Sequence, residues 1–178
     1  MYTSTDLARS FRTVRKNTLL IAHDIPAEKW SFHAAPGART IAELFAHIAA
    51  LTRTPQQLHL VDEKTFITPD EFRALGAQNG AYEKTLKTRE AIIHALEENG
   101  EDFARRLDAL TPTQMSAVVN FPPPLDPPSK TRFELLLGVK EHEMHHRGQL
   151  MLLQRMVGVV PHLTRQRQAH TQAPAPTR

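Results

Sequence analysis

The longest helical pattern in the chain decides the fold, and it spans residues 131–157, TRFELLLGVKEHEMHHRGQLMLLQRMV. Thr131, followed three residues later by Glu134, forms a capping box, in which a hydroxyl and a carboxylate satisfy the free N–H groups at a helix start. Gly158 and Pro161 follow the last apolar residues, and both residue types end helices. The stretch therefore predicts one long helix over 132–157.

The same start signal recurs upstream, which indicates a helical chain. It is found at Thr40–Glu43, Thr68–Glu71 and Thr111–Gln114. With the spacing of apolar residues, it predicts long helices over 4–23, 41–60 and 81–109 and a short one over 69–75. Pro55 is expected to kink or shorten the second helix, and Asn99-Gly100 to divide the third into two pieces.

Two segments are expected to be non-helical. Residues 121–128, FPPPLDPP, carry too many prolines for a helix. Residues 164–178, TRQRQAHTQAPAPTR, show no hydrophobic periodicity, so we expect a disordered tail. Four long helices predict an all-α four-helix bundle in one domain, residues 1–163, with a short extra helix and a disordered tail over 164–178.

Composition excludes several classes of protein. Aromatic residues make up 6% of the 178 residues and glycine occurs 7 times, fewer than strand-rich folds use. The chain contains no cysteine, which excludes disulfides, a thiolate nucleophile and cysteine-based metal sites. No apolar stretch of about 18 residues is found in the sequence, and we expect no secretory signal because the first residues lack an apolar region. We therefore expect a cytoplasmic protein without membrane association.

The basic pI of about 9.4 comes from the C-terminal part of the chain. Residues 147–178 contain five arginines and no acidic residue, so the first 146 residues are slightly acidic. Basic patches with interleaved aromatic residues, which nucleic-acid binding requires, are missing. We expect no nucleic-acid partner.

Two histidines of the last helix form the first candidate site. His142 and His146 are four residues apart, which places them one turn apart on one helix face. At about 100° per residue, Leu135 and Leu153 lie within about 20° of His142, so we expect both histidines at the centre of the inward apolar stripe. Such imidazoles are either core residues bonded to acceptors or metal ligands.

A third ligand would come from another helix, and His47 in the second helix is the candidate. Three neutral imidazoles leave a coordination position open for water or substrate, the pattern of catalytic metal sites. His145 and Gln149 flank the pair as candidates to support the ligands or bind substrate. Glu43 is a further candidate to orient an imidazole, although its capping box already explains it.

The remaining histidines are expected at the surface or in loops, outside any site. They are His23, His33, His59, His94, His162 and His170. No further aspartate or glutamate clearly shares the histidine face, so the sequence names no general acid or base.

The stretch Thr40-Ile-Ala-Glu-Leu-Phe-Ala-His47, together with His142-Glu-Met-His-His146-Arg147-Gly148-Gln149-Leu150, resembles the DinB-like (damage-inducible, YfiT-related) family of metal-dependent proteins. The resemblance covers about residues 4 to 158. It implies an up-down-down-up bundle, commonly a homodimer, with nickel or zinc held at the positions of His47, His142 and His146. Some relatives act with thiols such as bacillithiol, mycothiol or glutathione.

Three functions remain open at this point. The first is a metal-dependent transferase or hydrolase that activates a thiol cosubstrate or water on a small-molecule substrate. The second is a non-catalytic, stress-associated metal-binding protein, and the third is a bundle that serves only as an interaction module. Leu137, Met144 and Met151 lie opposite the histidines and predict contact with another subunit, which favours a homodimer, or with a packed loop.

Overall fold

The computed structural model describes residues 2–172, which are mostly helical. The helices are α1 (Ser4–Asp24), α2 (Ile41–Ala50), α3 (Arg53–Pro55), α4 (Pro69–Glu83), α5 (Arg89–Asp108), α6 (Pro112–Ser116), α7 (Arg132–Met156) and α8 (His162–Gln172), with a 3-10 turn at Ala27–Lys29 and a π-helix at Gln56–Val61. Two short strands, β1 (Val118–Asn120) and β2 (Ser129–Thr131), pair in antiparallel fashion. The all-α fold class is confirmed.

Helices α1, α2, α5 and α7 form the four-helix bundle, each packing against two of the others. Ser10 of α1 contacts Lys140 of α7, and Thr18 contacts Glu143, so α1 and α7 run parallel. Helices α2 and α5 are both antiparallel to α1 and α7. The order is therefore up-down-down-up, with long connections between α2 and α5 and between α5 and α7.

The core consists of two apolar clusters stacked along the bundle. One includes Ile21, Ile25, Phe45, Leu96 and Leu150. The other includes Leu7, Phe11, Phe103, Leu107 and Leu136. Between them lies a buried ion pair, in which Arg15 Nη2 is 2.9 Å from Glu143 Oε2. Arg15 also donates to the carbonyl oxygens of Leu96 and Ile48, so it joins all four bundle helices.

The second predicted helix is broken where its proline lies. α2 ends at Ala50, five residues before Pro55, and the chain continues through α3 into the π-helix. Proline has no N–H to donate to the carbonyl four residues earlier, which explains why a regular helix does not continue over 41–60.

Two further predicted boundaries are wrong. α4 extends to Glu83 rather than 75, because Tyr82 near its end accepts from Asn99 and carries the Arg53 guanidinium 4.0 Å from its ring centroid. α5 consequently starts at Arg89, after an N-cap at Thr88, rather than at 81. Asn99 and Gly100 lie inside one unbroken helix.

The proline run 121–128 connects β1 and β2, a strand pair that the sequence did not predict. Val119 of β1 is fully buried, and the pair places Val118 opposite Thr131, the N-cap of α7. The hairpin therefore leads directly into the longest helix of the bundle.

α8 occupies residues for which we expected a disordered tail. Its first residue, His162, is buried and bonds Asn17, while Arg165 pairs with Asp24 at 2.8 Å. These polar contacts with α1 order residues 164–172 in spite of the missing periodicity. The rest of the expected tail, 173–178, lies outside the described residues. Among residues 2–172, no helix is both long and apolar enough to cross a membrane.

Candidate metal centre

Three imidazoles converge between α2 and α7. Capping boxes at Thr40 and Thr131 fix where the two helices begin, so His47 comes two turns into α2, and His142 and His146 lie on successive turns of α7. One ring nitrogen from each of the three lies within 4.8 Å of the others. The arrangement could hold a metal ion.

Hydrogen bonds fix the orientation of two of the rings. His47 Nδ1 lies 2.9 Å from Glu83 Oε1, and His146 Nδ1 lies 2.9 Å from Gln149 Oε1. Because carboxylate and amide oxygens only accept, both Nδ1 atoms donate in these hydrogen bonds. His146 Nε2 is 2.8 Å from His142 Nε2. This is the orientation that metal-ligating histidines take.

The electrostatics of the cluster favour the neutral forms of His142 and His146. Partial desolvation lowers the pKa of His142 to about 4, and the neighbouring His146 and His47 add to the effect. Desolvation also lowers the pKa of His146, although its hydrogen bond to Gln149 opposes the shift. At neutral pH His142 and His146 are therefore neutral imidazoles, the form of histidine that binds metal ions.

The predicted position of the pair on α7 is wrong in one respect. His142 is exposed at the rim of the bundle, whereas the inward face is centred on Glu143, His146 and Leu150. The prediction counted only apolar residues, but α7 also buries Glu143 and Gln154. The three imidazoles therefore lie where the core opens to solvent.

The other predicted residues take different places. Gln149 accepts a hydrogen bond from His146 and donates one to exposed His145, whose Nε2 is 3.1 Å away. Gln149 therefore links His145 to His146 by two successive hydrogen bonds. Glu43 Oε2 instead accepts from the N–H and the hydroxyl of Thr40. Within residues 2–172, no hydrogen bond joins Glu43 to a histidine.

Glu83 is a residue of the site that the sequence did not predict. It lies at the end of α4, a helix predicted to stop eight residues earlier. No local signal marks it, because only the packing of α4 on α2 brings it to His47. Two histidines predicted at the surface, His59 and His162, are in fact buried.

Two clefts flank the three imidazoles. The first, here called the apolar cleft, has a volume of about 330 Å³ and is lined by Ala34, Ala38, Arg39, Leu44, His146, Gln149, Leu152 and Leu153. The second, the charged cleft, measures about 760 Å³, and its lining includes Arg39, Glu43, Glu83, Lys84 and Lys87. Ala38 and Arg39 belong to both, so the clefts meet beside the cluster.

Comparisons with known proteins agree with this architecture. Six chains of solved structures are similar, among them the DinB-like protein YjoA of Bacillus subtilis, with a TM-score of 0.62 and 21% sequence identity over 85% of this chain and 92% of that chain. No functionally curated protein matches. A family model described as the DinB superfamily matches residues 10–150, a span that includes all three histidines. The chain therefore belongs to the DinB superfamily.

Proposed function

We propose that this chain is a divalent-metal-dependent enzyme that uses nickel or zinc to activate a thiol cosubstrate or water for transfer or hydrolysis on a small molecule. The observation that carries the proposal is the convergence of His47, His142 and His146, whose ring nitrogens lie within 4.8 Å of one another.

The donor set suits these metals. Three neutral imidazoles bind borderline ions such as nickel and zinc, whereas magnesium and calcium prefer oxygen ligands. The Nδ1 atoms of His47 and His146 form hydrogen bonds with Glu83 and Gln149. Nε2 is therefore the atom of each ring that is free to bind a metal ion. Three protein ligands leave coordination open to a further molecule.

A bound ion would supply Lewis acidity, which makes a thiol or water nucleophilic at neutral pH. The chain's own residues orient the ligands and shape the space around them. His146 lines the apolar cleft, so a molecule lying there reaches the imidazoles directly. Because the chain has no cysteine, a sulfur nucleophile has to come from a cosubstrate.

A non-catalytic metal-binding protein is the alternative. The two clefts beside the imidazoles favour an enzyme, because a protein that only stores or senses metal needs no space for a second molecule. We also propose a homodimer, supported by the resemblance and by Met144, which is 43% exposed. Leu137 and Met151, expected at the dimer contact, pack instead against the core of their own chain.

The first test is the metal content of untagged protein, for wild type, His142→Ala and the control His94→Ala. His94 is an exposed histidine of α5 that lies outside the cluster. We expect about one nickel or zinc ion per chain in wild type and in the control, and loss in His142→Ala. A wild type that stays metal-free after incubation with both ions would refute the proposal.

Activity of the metal-loaded protein is the second test. We expect transfer of a low-molecular-weight thiol to a model electrophile, or hydrolysis of a model ester without thiol, either one lost in His142→Ala. Loaded protein that is inactive in both assays across a panel of thiols and esters would favour the non-catalytic alternative.

A further inference from the structure

We propose that the ligand of this site is a small organic anion with an apolar body, whose anionic group binds Arg39 and whose body fills the apolar cleft. This inference rests on the proposed function, because it names the substrate class for the same three histidines.

Arg39 is placed to bind an anion. It lies where the apolar and charged clefts meet. Within residues 2–172 it forms no ion pair and no side-chain hydrogen bond, whereas Arg12, Arg15 and Arg165 each hold a carboxylate. A guanidinium offers paired donors to a carboxylate, sulfonate or phosphate group.

The charges around Arg39 add to its attraction for anions. Lys84 and Lys87 line the charged cleft, and neither has an ion-pair partner among the residues described. Glu43 and Glu83 line the same cleft, and their hydrogen bonds to Thr40 and His47 orient the two carboxylates without removing their charge. The three cations outnumber the two carboxylates, so the net charge around the cleft is positive.

The apolar cleft supplies the second half of the recognition. Its walls are formed by the aliphatic side chains of Leu44, Leu152 and Leu153, with the small Ala34 and Ala38 leaving room between them. Leu152 is 60% exposed beside His146, although α7 has a buried face in the same turn. Exposed large apolar side chains in a cleft favour an apolar ligand.

The two halves meet at the histidines. A ligand whose anionic end rests on Arg39 and whose alkyl or aryl body lies along Leu152 passes His146, which lines the same cleft. The arrangement disfavours cationic ligands, which Arg39 repels, and fully polar ones, which would leave the leucines exposed.

Three probes distinguish the contribution of the anionic group to binding from that of the apolar body. They are hexane-1-sulfonate, which has both, hexan-1-ol, which has only the hexyl chain, and inorganic sulfate, which has only the anion. A sulfonate is chosen because it is a weak metal ligand. Binding is measured by amide chemical shifts of the full chain, with and without zinc, for wild type, Arg39→Gln, Arg39→Lys and Leu152→Ser. Arg9→Gln is the control, because it removes one positive charge from a residue that lines neither cleft.

We expect hexane-1-sulfonate to bind at least about tenfold more tightly than either other probe, with shifts at residues 34–39 and 149–153. Arg39→Gln should abolish the preference over hexan-1-ol, Arg39→Lys should restore part of it, and Leu152→Ser should weaken both hexyl probes. Equal binding of sulfonate and alcohol, shifts elsewhere, or the same loss in Arg9→Gln would overturn the inference.

Zinc and nickel contents, measured after incubation with each ion, separate this inference from the proposed function. A wild type that binds neither ion, yet prefers the sulfonate through Arg39, refutes the metal function and supports the ligand class. A wild type that binds zinc without an Arg39-dependent preference refutes the ligand class alone.

Discussion

Glu83 accepts a hydrogen bond from His47 at 2.9 Å. A carboxylate in this position holds the ring orientation and raises the basicity of a ligand imidazole, and its loss typically weakens metal binding by about 10–100-fold. We expect a loss of this size in the zinc affinity of Glu83→Gln, measured by competition with a chromophoric chelator.

Glu98→Gln is the matched control for this variant. Glu98 also approaches a histidine, with its Oε2 3.2 Å from His94 Nε2, but both side chains are 67% exposed on the surface of α5. Its zinc affinity should equal that of wild type. An equal loss in both variants would show a general charge effect and contradict the role of Glu83.

Gly100 is required by the side chain that packs on it. A Cβ at this position would lie 2.9 Å from Arg15 Cγ and 2.8 Å from Nη1, and Arg15 cannot move freely because it holds Glu143. We expect Gly100→Ala to lower the free energy of unfolding by about 1–3 kcal/mol, measured by urea denaturation.

Gly76→Ala tests the same substitution where space is open. Gly76 lies inside α4, and its Cβ would meet no atom within 4 Å. Alanine there should raise the free energy of unfolding by about 0.5–1 kcal/mol, because glycine loses more backbone freedom in a helix. Stabilisation by both variants would contradict the close approach of Arg15 to α5.

At the scale of elements, the buried Arg15–Glu143 pair joins the helices that carry the histidines. Glu143 directly follows His142 on α7, and Arg15 also donates to the carbonyl of Ile48, which directly follows His47 on α2. One side chain of α1 therefore contacts the residue after His142 and the residue after His47.

Breaking this pair should be costly. Glu143→Leu leaves the Arg15 guanidinium buried without its carboxylate, and we expect a loss of about 3–5 kcal/mol in the free energy of unfolding, measured by urea denaturation. The double variant Arg15→Met/Glu143→Leu should recover part of this loss, because no lone charge remains. A double variant as unstable as the sum of both single variants would contradict the pairing.

The sequence predicted elements well where local signals are strong. Capping boxes at Thr40 and Thr131 set the starts of α2 and α7, which positioned all three histidines. It failed where packing overrides local preference. The predicted helix over 69–75 is too short, and the longer α4 exists because its end packs beside Asn99 and Arg53. Glu83 could not be found for the same reason.

At the scale of the whole molecule, the buried histidines couple stability to pH. Burial, with the positive charge of Arg132, lowers the pKa of His59 from 6.5 to about 4. Between these values the unfolded chain binds the proton and the folded one does not, so stability is full above about pH 6.5 and falls as the pH drops towards 4. This group alone accounts for about 3 kcal/mol.

We therefore expect metal-free protein to unfold at lower urea concentration at pH 4.5 than at pH 7.5. Since burial also lowers the pKa of His146 and His162, His59→Leu should reduce this pH dependence without removing it. His94→Leu, at an exposed site, should leave it unchanged. Identical pH dependence in wild type and His59→Leu would contradict the prediction.

Overall architecture was the most predictable level, and chain ends were the least. Helix periodicity indicated four long helices, and these pack as the bundle. The order in α8 depends on Asp24 and Asn17, which are more than 130 residues away in the chain. The local spacing of apolar residues carries no information on contacts between residues so far apart in the sequence.

The sequence separation of Arg15 and Glu143, 128 residues, has a consequence for how the protein is made. During synthesis Arg15 leaves the ribosome early, and its carboxylate follows only with α7. Until Glu143 is available, α1, α2 and α5 cannot pack around Arg15 without burying its guanidinium charge unpaired. The segment that completes the ion pair also brings two of the three imidazoles. A chain that ends before α7 therefore lacks the carboxylate partner of Arg15 together with His142 and His146, so we expect it neither to close as the bundle nor to bind the metal ion.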